Sequence, residues 1–405
     1  MDFRFSRDAQ SYQEEVRAFF AIEMDPQRTK GQGDHRDLTN LSEDFERALQ
    51  ARAGTHGYLG ITVDPAYGGL GKSISHQVVF NFEAARYDAP AIDTAMTLAG
   101  HAILAHGTEA QKAAYVPRML AGEIEMSIAY SEANAGNDLS ALEATATAVN
   151  DGDGDGFVLR GTKVMVTGAH KADHAVTIVR SNPDVPVRQG MTMFLIDLKA
   201  PGVVVRRRAI MNNWTLGEIT FDDLRLGPEA VLGQVDQGWT QVISSLEAER
   251  SGIFHLGFIA HVLDELVNYA QSATRDGVRL ADDPVVRDRI AGLYVELESG
   301  LRLAKRTTWL LETGQPNNVA ASMSKVFTTE LEQRVAQAAT EIAGHRGSVY
   351  AELFGDDIPD LAAARGRFAW EYLERVHGAI SVGSNEVHRD GIAQAGLRLP
   401  RAKRK

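Results

Sequence analysis

The chain has 405 residues, 44% hydrophobic and 24% charged, the proportions of a globular protein with more than one core. Its formal net charge of -12 argues against a nucleic-acid partner, because phosphate binding needs a basic face that releases counterions. It has no cysteine, which excludes disulfides, thiolate catalysis and cysteine-based metal sites. MDFRFSRDAQ carries no apolar signal core and no 18-residue apolar run occurs, so a cytoplasmic protein without membrane insertion is expected.

The first third reads as helices. DAQSYQEEVRAFFAIEM sets Tyr12, Val16, Phe19 and Phe20 on one face. LSEDFERALQARAGTHG opens on Ser42, with Glu43 and Asp44 in its first turn, and stops near Gly54 and Gly57. HQVVFNFEAARY, AIDTAMTLAGHAILAHG and TEAQKAAYVPRMLAGE continue the pattern. From about residue 124 the runs shorten and alternate: EATATAV, GFVLRGTKVMVTG, HAVTIVRS, MTMFLIDL, GVVVRRR and EITFDDLRL, bounded by Gly, Pro, Asn or Asp. After Gly238 the helical period returns in three long stretches, the first of which, 241–274, reads as one helix of roughly 30 residues. The fold class is therefore α+β: an N-terminal helical domain over 1–123, a central antiparallel β domain over 124–234 and a C-terminal helical bundle over 235–405.

Two short motifs imitate known sites and fail. AYGGLGKS lacks the first glycine of a phosphate loop, since that position is Ala66; a glycine-rich helix connection is expected instead. NDGDGDGF resembles a calcium loop, but the twelfth position, where a bidentate Glu is required, is Thr162; an Asp-Gly hairpin is expected. The 12 histidines have no metal-ligand spacing, so no metal site is expected, and His255 reads as a satisfied core residue.

VISSLEAERSGIFHL poses a sharper question. Trp239, Val242, Leu246, Ile253 and Leu256 form an apolar stripe, and the step after Leu246 falls on Glu249, next to Arg250. A carboxylate in a buried stripe is either a helix-seam ion-pair partner or a base whose pKa burial has raised.

Several motifs, in order, resemble the acyl-CoA dehydrogenase family of flavoproteins over nearly the whole chain. DPAYGGLG resembles its Pro-x-x-Tyr-Gly-Gly-x-Gly connection, and AYSEANAGNDL stands where the family has Thr-Glu-Pro-x-x-Gly-Ser-Asp. LRGTKVMVTGAHKADHAVTIVR resembles its Gly-x-Lys-x-Trp-Ile-Thr strand pair. FDDLRLGPEAVLG, GWTQVISSLEAER and SVGSNEVHRDGIAQAGLRLPR complete the series.

The resemblance implies FAD, with the α proton of an acyl thioester taken by a base as hydride leaves the β carbon for flavin N5. In many members the base precedes a Gly-Thr or Gly-Ser near the C-terminus; here that residue is Val382, before Gly383 and Ser384. A subgroup that includes isovaleryl-CoA dehydrogenases carries its base before an Arg on the first long C-terminal helix, which matches Glu249 before Arg250. Arg250 would then face the substrate entrance, or make a surface ion pair. Tyr130 and Ser131 match positions at the flavin edge, Gly136 and Asn137 positions at the pyrophosphate. Met165 stands where a Trp commonly covers the ring, Thr167 keeps that strand's hydroxyl, and Ser384 and Glu386 match positions near the ADP moiety.

Arg275 is offset by two from the family's Arg, and EIAGH keeps Gly344 but carries Glu341 and His345 in place of the Gln and second Gly of Gln-Ile-x-Gly-Gly, so the neighbouring-subunit half of the site departs from the pattern. The resemblance implies an acyl-CoA or acyl-carrier-protein thioester, an electron acceptor such as an electron-transfer flavoprotein, and a homotetramer or a heterotetramer with a related subunit. A flavin monooxygenase on the same fold and the base-bearing subunit of a heteromeric dehydrogenase are the alternatives.

Overall fold

The computed structural model describes residues 5–25, 42–90, 95–151, 154–211, 215–246, 252–350 and 362–401. In chain order the helices before the strands are α1 (Arg7–Glu23), α2 (Glu43–Thr55), α3 (Ile74–Arg86), α4 (His101–His106) and α5 (Glu109–Leu120). The strands are β1 (Met126–Ala129), β2 (Thr145–Asp151), β3 (Gly154–Thr167), β4 (His174–Arg180), β5 (Met191–Asp197), β6 (Val203–Ala209), β7 (Thr215–Leu226) and β8 (Val231–Leu232). Then come α6 (Gly238–Leu246), α7 (Ile253–Ser272), the small hairpin β9 (Thr274–Arg275) and β10 (Val278–Arg279), α8 (Pro284–Glu312), α9 (Asn318–Ala343), α10 (Arg367–Glu374) and α11 (Asn385–Gly391). Among the described residues no helix is long and apolar enough to cross a membrane. Two compact units form: 47–71 with 92–249, and 1–46 with 72–91 and 250–405.

In the first unit the strands order as β6-β7-β3-β2-β4-β5-β8, and β1 pairs with β4. Most neighbours run antiparallel, as the sequence leads one to expect. The exceptions are β1, parallel to β4 from Met126↔His174 to Ala129↔Thr177, and β2, which meets β4 in parallel at Thr145↔Arg180. Val176 and Ile178 of β4 face Ile103, Val116 and Met119 of the helices, while Ala175 and Val179 face Phe194, Ile196 and Phe221. Burial on both faces explains why the apolar runs of β4 and β5 are nearly continuous. The edge strand β6 is fenced by exposed Arg206, Arg207 and Arg208, a charge arrangement that discourages edge-to-edge pairing. Arg208 donates to Glu218 at 3.0 Å.

The local signals act where they stand. Ser42 accepts the Phe45 N–H at the start of α2. Thr108 and Gln111 form a reciprocal capping box on α5. Residues 66–73 are a helix connection built on close approach: a Cβ on Gly69 would lie 2.1 Å from the Val63 carbonyl oxygen. Asp151 pairs with Gly154 across the Asp-Gly hairpin, whose tip, 152–153, lies outside the described residues.

In the second unit α7, α8 and α9 share a core of Leu256, Leu263, Leu297, Leu331 and Val335, joined by Val78 of α3. Gly257 is needed there, since a Cβ would sit 2.5 Å from the Phe82 carbonyl. The 29-residue α8 and 26-residue α9 match the expected long helices. The single helix expected over 241–274 is instead two. Helix α6 ends at Leu246 and α7 starts at Ile253, behind Gly252 in the left-handed region at φ 71. A residue with positive φ cannot continue a right-handed helix, and apolar periodicity does not register that dihedral.

A buried ion network closes this unit. Arg367 grips Asp88 with two bonds of 2.6 and 2.8 Å and donates to Glu371 at 2.6 Å. Arg375 donates to the other Glu371 oxygen and lies 4.7 Å from the Phe258 ring centroid. His255 Nδ1 is 3.0 Å from Glu332, so this histidine is half-buried and partnered, as expected. Burial raises the Asp88 and Glu371 carboxyls, but the guanidiniums outweigh it and hold both below the ordinary range. Their folded pKa values are depressed, so their stabilisation is present above about pH 4 and is lost as pH falls through the folded values. Asp88→Asn should cost about 3–5 kcal/mol at pH 7 by leaving Arg367 short of a counter-charge. Urea melts between pH 7 and 3 should also show a flatter acid limb for the variant than for the parent.

Candidate active site

The first unit's candidate residues lie on the loop after β1 and on the end of β3. The loop is anchored by Lys163, which is fully buried. Its ammonium donates to Glu132 Oε1 at 2.6 Å, to the Ile178 carbonyl at 2.7 Å and to the Tyr130 carbonyl at 3.2 Å, using all three protons. Glu132 in turn accepts the backbone N–H of Glu143 at 2.7 Å and of Ala144 at 3.2 Å. Burial pulls the Lys163 ammonium below its ordinary pKa, and Glu132 opposes that shift. The loop closes on itself through Glu132 and Ala135, which exchange backbone bonds of 2.9 and 3.1 Å. The Ser131 carbonyl accepts the Val164 N–H at 2.9 Å, joining loop to strand.

On this frame Tyr130 is 7% exposed and its hydroxyl has no hydrogen-bond partner among the described residues. Burial pushes the phenol well above its usual pKa, so it stays a neutral donor. Gly136 and Asn137 are exposed, and a Cβ on Gly136 would meet nothing within 4 Å. Met165 sits at φ 56 in a bulge, where β3 spends one residue more than β7 between Lys163↔Ile219 and Val166↔Gly217. Its side chain is 64% exposed. A non-glycine residue held left-handed costs about 1–3 kcal/mol, and an exposed thioether returns none of it by burial. Thr167 is exposed, and its carbonyl accepts the Ser127 hydroxyl at 2.8 Å. An unpartnered buried phenol, open ground over a glycine and an apolar side chain standing off a bulge fit a planar ring with a phosphate tail.

The second unit carries Arg275, Glu341, Gly344, Val382, Ser384 and Glu386. Glu249 and Arg250 lie outside the described residues. Of the stripe that singled out Glu249, Val242, Ile253 and Leu256 are buried and Trp239 is half-buried. Val382 is at φ 54 and 53% exposed, followed by Gly383 at φ 81. Ser384 is buried and caps α11, accepting the Val387 N–H at 3.5 Å. Glu386 is exposed; its own backbone N–H and Ser384 hold its carboxyl below the ordinary range. The turn is bonded to α9 by Lys325, whose ammonium burial lowers to about 8.

Arg275 stands on the β9–β10 hairpin, whose tip is Asp276 at φ 51 and Gly277 at φ 80. Its guanidinium donates to the Ile342 carbonyl. Glu341 accepts from Gln337 at 2.7 Å and pairs with Arg289, and those two contacts hold its carboxyl below the ordinary range. Gly344 is at φ 61, and a Cβ there would meet nothing within 4 Å. The fold thus brings Arg275 to Glu341–Gly344 at one end of α9 and Ser384 and Glu386 to Lys325 at the other. From Lys325 to Ile342 the helix rises about 26 Å, at roughly 1.5 Å per residue. A single chain therefore does not gather these two groups at one point.

Sequence reasoning passed over Glu132, Lys163, Lys325 and His388. The available signal was chemical: a lysine inside an apolar strand and another inside an alanine-rich helix are rarely buried without a dedicated partner.

Comparison with known proteins gives this arrangement its context. Family profiles described as acyl-CoA dehydrogenase N-terminal, middle and C-terminal domains match residues 6–123, 127–224 and 236–397. The chain belongs to the acyl-CoA dehydrogenase family, FAD-dependent oxidoreductases acting on CH–CH bonds. It is similar to acyl-CoA dehydrogenase FadE29 of Mycobacterium tuberculosis, 30% identical over 97% of each chain. Among solved structures, the ChsE4-ChsE5 complex from Mycobacterium tuberculosis is 29% identical, with a TM-score of 0.86 over 100% of both chains. The Tcur3481-Tcur3483 steroid ACAD is 27% identical, with a TM-score of 0.86 over 99% of this chain and 100% of that one.

Two substitutions probe the first unit. Lys163→Met leaves Glu132 buried without its counter-charge and should cost about 3–5 kcal/mol in a urea melt. Tyr130→Phe deletes an unpartnered hydroxyl. It should leave stability of the flavin-free protein unchanged or raise it by about 1 kcal/mol, while weakening FAD retention measured by ultrafiltration.

Proposed function

We propose that this chain dehydrogenates an acyl-CoA thioester between its α and β carbons, with Glu249 as the base. The observation that carries the assignment is the turn at Ser381–Ser384. It offers an exposed, left-handed valine where many relatives hold their acid, so the α proton has to leave by another route. Glu249 is the acid that the helical stripe singles out, and a carboxylate kept from water is a competent base near neutral pH. Held beside the substrate, FAD supplies the acceptor for the β hydride.

The other residues hold and orient. Tyr130, Ser131 and Thr167 edge the flavin, Met165 covers one face of the ring, and Gly136 with Asn137 meets the pyrophosphate through backbone and amide N–H donors. Ser384 and Glu386 meet the adenosine end. Arg250 neutralises charge at the substrate mouth. The developing thioester enolate is stabilised by hydrogen bonds, without a metal.

Two finer readings belong with this. The acyl group is a steroid-borne side chain, and the active assembly pairs this chain with a related, non-identical subunit. Full-length likeness to a steroid ACAD of two named chains and to the two-chain ChsE4-ChsE5 complex supports both. The separation of Arg275, Glu341 and Gly344 from Ser384 and Glu386 along α9 supports a site completed by a neighbour.

Glu249→Gln should keep bound flavin but lose anaerobic bleaching by substrate by roughly 10²–10⁴-fold, read by stopped-flow absorbance at the flavin band. Bleaching at the parental rate would remove Glu249 as the base. A steroid side-chain CoA thioester should bleach the protein faster than a straight-chain acyl-CoA of equal carbon count. A single-subunit preparation with one tightly held FAD per chain would overturn the heteromeric reading.

A further inference from the structure

The turn at Ser381–Ser384 adopts a shape that its own residues do not favour. Val382 is at φ 54, in a region where a β-branched side chain clashes with its own backbone. Its side chain is 53% exposed, so apolar packing does little to hold it. Two buried side chains supply the restraint instead. Lys325, 7% exposed, donates from Nζ to the Gly383 carbonyl at 2.8 Å and to Asn385 Oδ1 at 2.9 Å. His388, 5% exposed, lies with Nε2 3.1 Å from the Val382 carbonyl and Nδ1 3.0 Å from Ser322 Oγ.

A carbonyl can only accept, so Nε2 donates to Val382, while Nδ1 pairs with the serine hydroxyl. Ser322 and Lys325 lie one turn apart on α9, so both restraints issue from one rigid helix face. Asn385 is fixed in turn, accepting from Thr329 at 3.2 Å and donating to Glu330 at 3.3 Å. Burying an ammonium against a backbone carbonyl is costly, and a surface turn with no task gives no return for it.

We propose that Lys325 and His388 are positioning residues that clamp the Val382–Ser384 turn in its final shape before cofactor arrives. The inference rests on the reading that Ser384 and Glu386 meet the adenosine end of FAD. Preformed contacts spare the ligand the ordering of the loop, so the clamp acts on cofactor affinity rather than on chemistry. Charged hydrogen bonds of this kind make a tenfold to hundredfold difference, by order of magnitude.

The test uses the full chain in the assembly it forms, with Lys325→Met and His388→Leu made singly. Deuterium exchange of the 380–386 segment is followed after FAD removal, and FAD affinity is measured by flavin fluorescence. Exchange in that segment should speed up by about tenfold or more, with distant segments unchanged, and the FAD dissociation constant should rise by a similar factor. Lys325→Arg should recover most of both. His388→Leu carries the test if Lys325→Met fails to fold.

Unchanged exchange at 380–386 in the folded variants overturns the clamp. Faster exchange with parental FAD affinity also overturns it, and Ser384→Ala then says how far the failure reaches. If that variant weakens FAD, only the clamp fails. If it too is silent, the assignment of this turn to the cofactor fails as well.

Discussion

The loop from Tyr130 to Asn137 hangs from one ammonium group. Lys163 reaches from the middle of a strand to two backbone carbonyls and one carboxylate, and that carboxylate ties down the chain eleven residues further on. Tyr130 and Ala135 of this segment reach the hydrophobic core, and the Lys163–Glu132 pair fixes the polar stretch between them. With it, Tyr130 stays buried and Ser131 stays bonded to Val164, which sets where the bulge at Met165 falls. An ion pair in such a place contributes little net stability against an apolar substitute of the same shape. What it supplies is a fixed geometry for a loop that hydrophobic burial alone does not define.

The second unit repeats the device with different residues. Lys325, also buried, donates to the Gly383 carbonyl next to left-handed Val382, and buried Lys163 lies two positions before left-handed Met165. In both places a strained backbone, an exposed apolar side chain and a buried cation occur together. Strain persists only where surrounding structure over-determines it, and such places gather at ligand sites. The Asp88–Arg367–Glu371–Arg375 network also contains a left-handed residue, Asp88 at φ 54, but there the strained residue is itself an ion-pair partner, and the network ties the turn after α3 to α10.

Much of the architecture was legible because its signals are local. Ser42, Thr108 with Gln111, and Asp-Gly between β2 and β3 act within a few residues of where they stand. The lengths of α8 and α9 follow from uninterrupted apolar period. Three features escaped, two because their causes are not local and one because apolar period does not register a dihedral. Strand β1 is four residues long and finds its parallel partner some fifty residues away. Helix α7 begins afresh at Gly252 because of one dihedral, which hydrophobic pattern does not encode. Lys163 and Glu132 meet across 31 positions, and neither is conspicuous until the strand has placed them. Among the candidate residues, those on the 130–137 loop and β3 could be followed to a shared frame, whereas Glu249, proposed as the base from the sequence pattern, lies outside the described residues.

Helix α9 has one further implication. Its two ends carry the two groups proposed to hold different parts of the dinucleotide, about 26 Å apart at roughly 1.5 Å of rise per residue. On that reading each chain owns two half-sockets facing different neighbours, and only one need remain intact in any given subunit. Duplicated copies are then free to decay in complementary fashion, one losing its grip at Glu341 and the other at Ser384, while the pair retains a working socket. Flavin content would follow subunit stoichiometry and dilution, and a lone subunit would leak its pigment long before it unfolds.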